Sequence, residues 1–208
     1  MQIRRDDAAA ASTSYARALE LAPNGPLLHK LYQAQIQIGD ADRALATLDD
    51  WIAAHPDDFG IKFVRATHLA KHGRLAEAQA TYEALATANP DNHVIANNLA
   101  LVYDELDDPR AVETAERAYA GSSGSPLVAD TLGWILARRG DPARAVQLLQ
   151  DAAQRLPDEP SVHYHLAYAH HAAGAPAAAK VLLRALLEQT PDFAEADEAK
   201  ALLQRLEP

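Results

Sequence analysis

The sequence predicts an all-α fold, a solenoid of stacked antiparallel helix pairs. Three observations carry that expectation. Pro23, Pro56, Pro90, Pro157 and Pro191 stand 33, 34, 67 and 34 residues apart, so the beat continues through a missing proline near Ser123. Between them, Gly39-Asp40, Gly73-Arg74, Gly140-Asp141 and Gly174-Ala175 mark a turn in the middle of four of the five full periods. On both sides of the turn apolar residues recur at spacings of three and four, which places them on one buried helical stripe. A fixed period of this length is the signature of stacked repeats, each burying its apolar face on its neighbours.

The first element precedes Pro23, where Ala11, Tyr15 and Ala18 have the spacing of a second helix. Residues 1–24 therefore read as the second helix of a truncated repeat. Five full repeats follow at 25–58, 59–92, 93–125, 126–159 and 160–193, and residues 194–208 supply a closing helix. The first helices superpose over 97–103, 130–136 and 164–170, and each copy has a large apolar residue followed by a small one: Leu99/Ala100, Leu132/Gly133 and Leu166/Ala167. The small residue lets a neighbouring helix approach closely. Tyr32 takes a small-residue site and Arg65 a large apolar one, so the first two full repeats are expected to pack less regularly.

At these turns glycine accepts the left-handed backbone that ends a helix, and where aspartate follows, at Asp40 and Asp141, it accepts hydrogen bonds from the free amides that begin the next. Pro109, Pro142 and Pro176 are expected at the first residue of a second helix, where proline sacrifices no hydrogen bond. The second helices repeat a buried triplet: Ala44/Leu48/Trp51, Ala78/Tyr82/Leu85, Ala111/Ala115/Ala118, Ala145/Leu149/Ala152 and Ala179/Leu183/Leu186. One copy is a residue short, at Asp107-Asp108-Pro109, and 121–126 (GSSGSP) replaces the usual proline turn with either a flexible stretch or a degenerate turn.

This 34-residue layout resembles the tetratricopeptide repeat (TPR) over nearly the whole chain, and that resemblance implies that the helix pairs wind into a right-handed superhelix. The later copies, NNLALVYDELDDPRAVETAERAYA, DTLGWILARRGDPARAVQLLQDAA and YHLAYAHHAAG, are similar to the C-terminal repeats of the TPR lipoprotein of the PEP-CTERM system. That resemblance implies a bacterial envelope protein associated with exopolysaccharide production and C-terminal protein sorting. Residues 1–7 lack the apolar core of a signal peptide and no cysteine exists to be lipidated. The expectation is a fragment of a longer array, in the periplasm or envelope; a complete gene product would be cytoplasmic. A solenoid starting in mid-repeat leaves an uncapped face, so self-association through the N-terminal helix is also expected.

With a net charge of −10 the chain lacks the basic character that phosphate binding needs, which argues against a nucleic-acid partner. No apolar run approaches the roughly 20 residues of a membrane span. The chain contains no glycine-rich phosphate loop, HExxH, GxSxG or cysteine nucleophile, so neither an enzyme nor a cofactor is expected. His163, His165, His170 and His171 offer no pair at ligand spacing, and His68 and His72 have the spacing without an acidic third group, so no metal is expected. His68 and His72 read as an exposed or half-buried helix face, and His170 as a packed core histidine.

The TPR resemblance implies a concave wall made by the first helices, from residues at spacings i, i+4 and i+7. The candidate partner-binding residues are Asn97, Leu101 and Asp104, then Asp130 and Trp134, then Tyr164, Tyr168 and His171. Trp134 and Tyr168 occupy equivalent sites in successive repeats. Two readings stand for them: aromatic anchors for a partner, or rings that stack on each other as packing between repeats. Asp130 and Tyr164 occupy the sites where some TPR proteins carry paired Lys and Asn to hold a carboxylate, so that clamp is not expected. The predicted function is a non-catalytic scaffold binding an extended peptide or protein. A polysaccharide-contacting scaffold and the accessory region of a larger enzyme are the alternatives.

Overall fold

The computed structural model describes residues 2–207 and, among them, twelve helices and no strand. They divide into two compact units, Met1–Ala88 and Asn89–Pro208. No helix among the described residues is long and apolar enough to cross a membrane.

The first unit holds α1 (Gln2–Leu21), α2 (Gly25–Ile38), α3 (Ala41–Ala54), α4 (Phe59–Lys71) and α5 (Leu75–Ala88). Asn24 caps α2 by accepting the Leu27 N–H at 2.9 Å, and Asp40 caps α3 by accepting that of Arg43 at 3.2 Å. Gly39 between α2 and α3 has φ 86°, a left-handed backbone that a side chain would strain. Asp58 caps α4 through the Ile61 N–H at 3.1 Å and accepts the indole N–H of Trp51 at 2.8 Å, so one carboxylate starts one repeat and ties it to the one before. Leu28, Leu48, Trp51 and Ile61 form the buried cluster.

The two residues that break the apolar pattern of this unit find polar partners. Arg65 reaches Asp49 on α3 at 2.5 Å and Thr81 on α5 at 3.3 Å, and the Tyr32 hydroxyl meets His68 Nδ1 at 3.1 Å. A buried polar group with a partner avoids most of the penalty of leaving water. His68 is only 3% exposed, so the helix face expected for the pair is a core position for His68; His72 is exposed.

The second unit holds α6 (His93–Glu105), α7 (Arg110–Gly121), α8 (Pro126–Arg139), α9 (Pro142–Arg155), α10 (Pro160–Ala172), α11 (Pro176–Gln189) and α12 (Ala196–Leu206). Each of α6, α8 and α10 packs on the second helix of its own pair and on its neighbour among the three. In the short copy Asp107 takes the left-handed role of glycine at φ 55°, and Asp108 accepts the Arg110 N–H at 2.9 Å. Pro109 consequently sits one residue before α7 instead of at its first position, because deleting a turn residue moves the helix start past it. The serine-rich connection is an ordered turn: buried Ser122 donates its hydroxyl to the Tyr119 carbonyl at 2.8 Å, and the Ser125 N–H bonds the Ser122 carbonyl at 3.2 Å.

All five second-helix triplets are buried, and the close contact expected of the small residues is sharpest at Gly133. A Cβ there would lie 2.6 Å from Leu149 Cγ on α9. Between repeats the strongest polar tie is Asp104, 1% exposed, whose carboxylate pairs with Arg139 Nε at 2.7 Å and Arg138 at 2.8 Å. Arg139 also donates to the Asp104 carbonyl oxygen at 2.8 Å, so α8 clasps the end of α6.

Gly133→Leu is expected to destabilise by about 1–3 kcal/mol or more through overpacking, each kcal/mol lowering the melting temperature about 2–4 °C in a chain of this size. Ala100→Glu, which buries an unpaired charge, is expected to cost at least as much; unchanged melting in both variants would refute the register. Removing both arginines, as Arg138→Ala/Arg139→Ala, strands a buried carboxylate and should cost toward the low end of about 3–5 kcal/mol, since the arginine ends are partly in water. Asp104→Asn should cost less, because both guanidinium groups can turn to solvent. Urea denaturation of the two variants checks the order.

Candidate functional site

Trp134 sits on α8 one residue beyond Gly133, a rotation of about 100° around the helix, which turns its side chain from α9 toward α10. There it is the centre of a ring cluster. His165 stacks on the indole with centroids 4.3 Å apart and planes 23° apart, and Tyr168 meets it edge-on at 5.0 Å and 65°. Tyr164 lies at 5.9 Å, and the Arg138 guanidinium carbon stands 5.4 Å from the indole centroid. Asp130 accepts from His165 Nδ1 at 2.8 Å, which fixes the imidazole orientation against the indole.

Of the predicted wall residues, Asp130, Trp134, Tyr164 and Tyr168 are brought together, and Asp104 is linked to Trp134 through Arg138. Their exposure differs from the even wall the spacing suggests. Asp104 is buried by the two arginines, and Tyr164 is buried in the cluster of Ala167, Leu183, Leu186, Ala199 and Leu202, so neither side chain is open surface. That burial, with Glu198 nearby, pushes the Tyr164 phenol up to about 12. Asn97, Leu101, Asp130, Trp134 and Tyr168 are half-buried, and His171 is exposed near the end of α10. His170, expected in the core, is half-buried.

The two tryptophans of the chain are bonded differently. Trp51 is buried and its N–H is satisfied by Asp58. Trp134 keeps partial exposure, and among the described residues its indole N–H has no hydrogen-bond partner. Its ring is fixed by neighbours and its donor is free.

His165 and Arg138 belong to this site and escape a reading by repeat position. The signals that could find them are local: His165 lies three residues before Tyr168 and Arg138 four after Trp134, spacings that share a helix face. No group of three metal-ligating side chains occurs among the described residues. A cavity of about 640 Å³ in the first unit, between α3, α4 and α5, is lined by Ile52, Phe59, Arg65 and Leu85 among others and contains none of the predicted wall residues.

Comparison with known proteins places this geometry. Models of the tetratricopeptide repeat match residues 29–93, 63–126 and 136–206. A TPR repeat-containing protein of Pseudomonas aeruginosa is 27% identical over 121 residues, which is 56% of this chain and 20% of that protein; the chain thus spans about one fifth of that relative's length. A tetratricopeptide repeat protein from Parabacteroides merdae is similar in structure, with a TM-score of 0.78 at 17% identity over 98% of this chain and 80% of that one. YrrB, described as a TPR protein with an unusual peptide-binding site, has a TM-score of 0.61 at 18% identity over 92% of this chain and 100% of its own. The chain belongs to the tetratricopeptide repeat family.

Proposed function

We propose that this chain is a non-catalytic scaffold that binds an extended peptide or protein segment on the α6, α8 and α10 face around Trp134 and Tyr168. Stacked helical repeats serve as extended binding surfaces for protein partners, and this chain has the same architecture. The observation that carries the placement is the free indole N–H of Trp134 on a ring that its neighbours hold still. A peptide carbonyl is the acceptor such a donor fits, and an anchor that is already ordered loses little side-chain entropy on binding. Half-buried Asn97 and Leu101 on α6 extend the face with an amide and an apolar side chain.

The polysaccharide alternative is less favoured by the same geometry. A sugar ring stacks on an open aromatic face, and here His165 lies against the indole while Arg138 sits over the ring. In the proposed setting the partner is a protein of the bacterial envelope, in an exopolysaccharide-associated sorting system, and nucleic acid is not a partner. Contact between copies through α1 is a further part of the proposal.

Capture from bacterial envelope extract, identified by mass spectrometry, tests the reading. Proteins retained by the wild type and lost with Trp134→Ala/Tyr168→Ala support it, given unchanged helicity by circular dichroism. For an isolated partner the double substitution should weaken binding at least about 30-fold, the effect of removing a hot spot of about 2 kcal/mol. Trp134→Phe keeps a ring and deletes the donor, so it should cost about fivefold, one hydrogen bond. Equal capture by wild type and double variant moves the binding surface elsewhere.

A further inference from the structure

His68 stands where the other full repeats carry Ala34, Val102, Ile135 and Ala169, all buried. An ionisable ring therefore occupies a position that is apolar in every other copy. Its partner is the other departure from pattern: Tyr32 takes the site of Ala66, Ala100, Gly133 and Ala167. The two odd residues meet across α2 and α4, with Tyr32 Oη 3.1 Å from His68 Nδ1 and the rings edge-on at 5.7 Å and 72°. On the other side the His72 ring stacks at 4.2 Å and 14°, and its Nδ1–H donates to the His68 carbonyl oxygen at 3.0 Å.

We infer that the Tyr32–His68–His72 cluster is a pH-sensitive latch, holding α2 against α4 while His68 is neutral and loosening that contact when the ring is protonated. The charged form has little to support it. The Tyr32 hydroxyl serves a neutral or a charged ring, so the cost of protonation is the burial of charge. Burial first, then the positive charges of His72 and Arg74, hold His68 below its ordinary value of 6.5, and Asp42 and Asp49 from α3 oppose them. Asp49 is itself engaged by Arg65, and Arg74 by Glu77. Because the folded value is depressed, the folded chain binds fewer protons than the unfolded chain just below pH 6.5. The contribution of His68 is thus complete above that pH and is lost as pH falls toward the folded value.

The test is a titration of the full chain between about pH 8 and pH 5, the range of histidine switching. The His68 ring is followed by NMR and amide protection by hydrogen exchange. The ring should titrate below 6.5. Protection in α2 and α4 should fall with pH, by at most about tenfold per unit for one linked proton, while that in α8 and α10 should fall less. His68→Val, which installs the residue type found at Val102, should remove the extra pH dependence in α2 and α4. His72→Ala should move the His68 titration upward. A His68 that titrates at or above 6.5, or an equal loss of α2 and α4 protection in wild type and His68→Val, overturns the latch. Should His68→Val fail to fold, the direction of the shift in His72→Ala decides.

Discussion

The contact between Gly133 and Leu149 sets the geometry on which the second unit depends. Space for Leu149 exists only because α8 has no Cβ at that point, since a Cβ would fall 2.6 Å from Leu149 Cγ. With α8 seated that close to α9, the next residue is turned toward α10, and the next residue is Trp134. The position of this ring cluster is therefore a consequence of backbone approach before it is one of aromatic chemistry. Leu132, Ile135 and Leu136 fill the remaining faces of α8, leaving the helix little freedom to rotate.

The first unit joins neighbouring helices through polar contacts as well as through small residues such as Ala44, Ala66 and Ala78. It sets Tyr32 against His68 and ties Arg65 to Asp49 and Thr81, as the second unit ties Asp104 to Arg138 and Arg139 and Asp130 to His165. Trp51 donating to the Asp58 that caps α4 belongs to the same style. Such contacts are directional and respond to protonation, whereas apolar contacts do not. In the latch inferred above, His68 is the group that makes the α2–α4 contact sensitive to pH.

The period made the helix pairs and their buried stripes legible, because spacing fixes which side of a helix a residue occupies. All five second-helix triplets and the left-handed glycines follow from spacing and turn chemistry alone. Spacing does not say how far a neighbouring side chain reaches. Asp104 has the angular position of a wall residue, yet Arg138 and Arg139 come across from α8 and cover it, and Tyr164 is covered by α11 and α12. His165 escapes a reading by spacing for the converse reason, since its importance lies in a ring contact and not in a repeat position. The displaced start of α7 shows a third limit: deleting one turn residue is visible in sequence, but whether the helix starts at Pro109 or after it depends on Asp108 as a cap.

The packing reading and the binding reading of Trp134 are compatible. Rings that stack between repeats are usually set against rings that recognise partners, because a buried face is unavailable for contact. Here the same neighbours that cover the indole leave its N–H without an acceptor, so packing fixes the direction of the donor. A free, mobile tryptophan would have to be ordered at the moment of binding, and that ordering weakens affinity. A ring already held by His165, Tyr168 and Arg138, with Asp130 orienting His165, has met that cost in folding. In the proposed binding mode that fixed donor suits the carbonyl of an extended backbone.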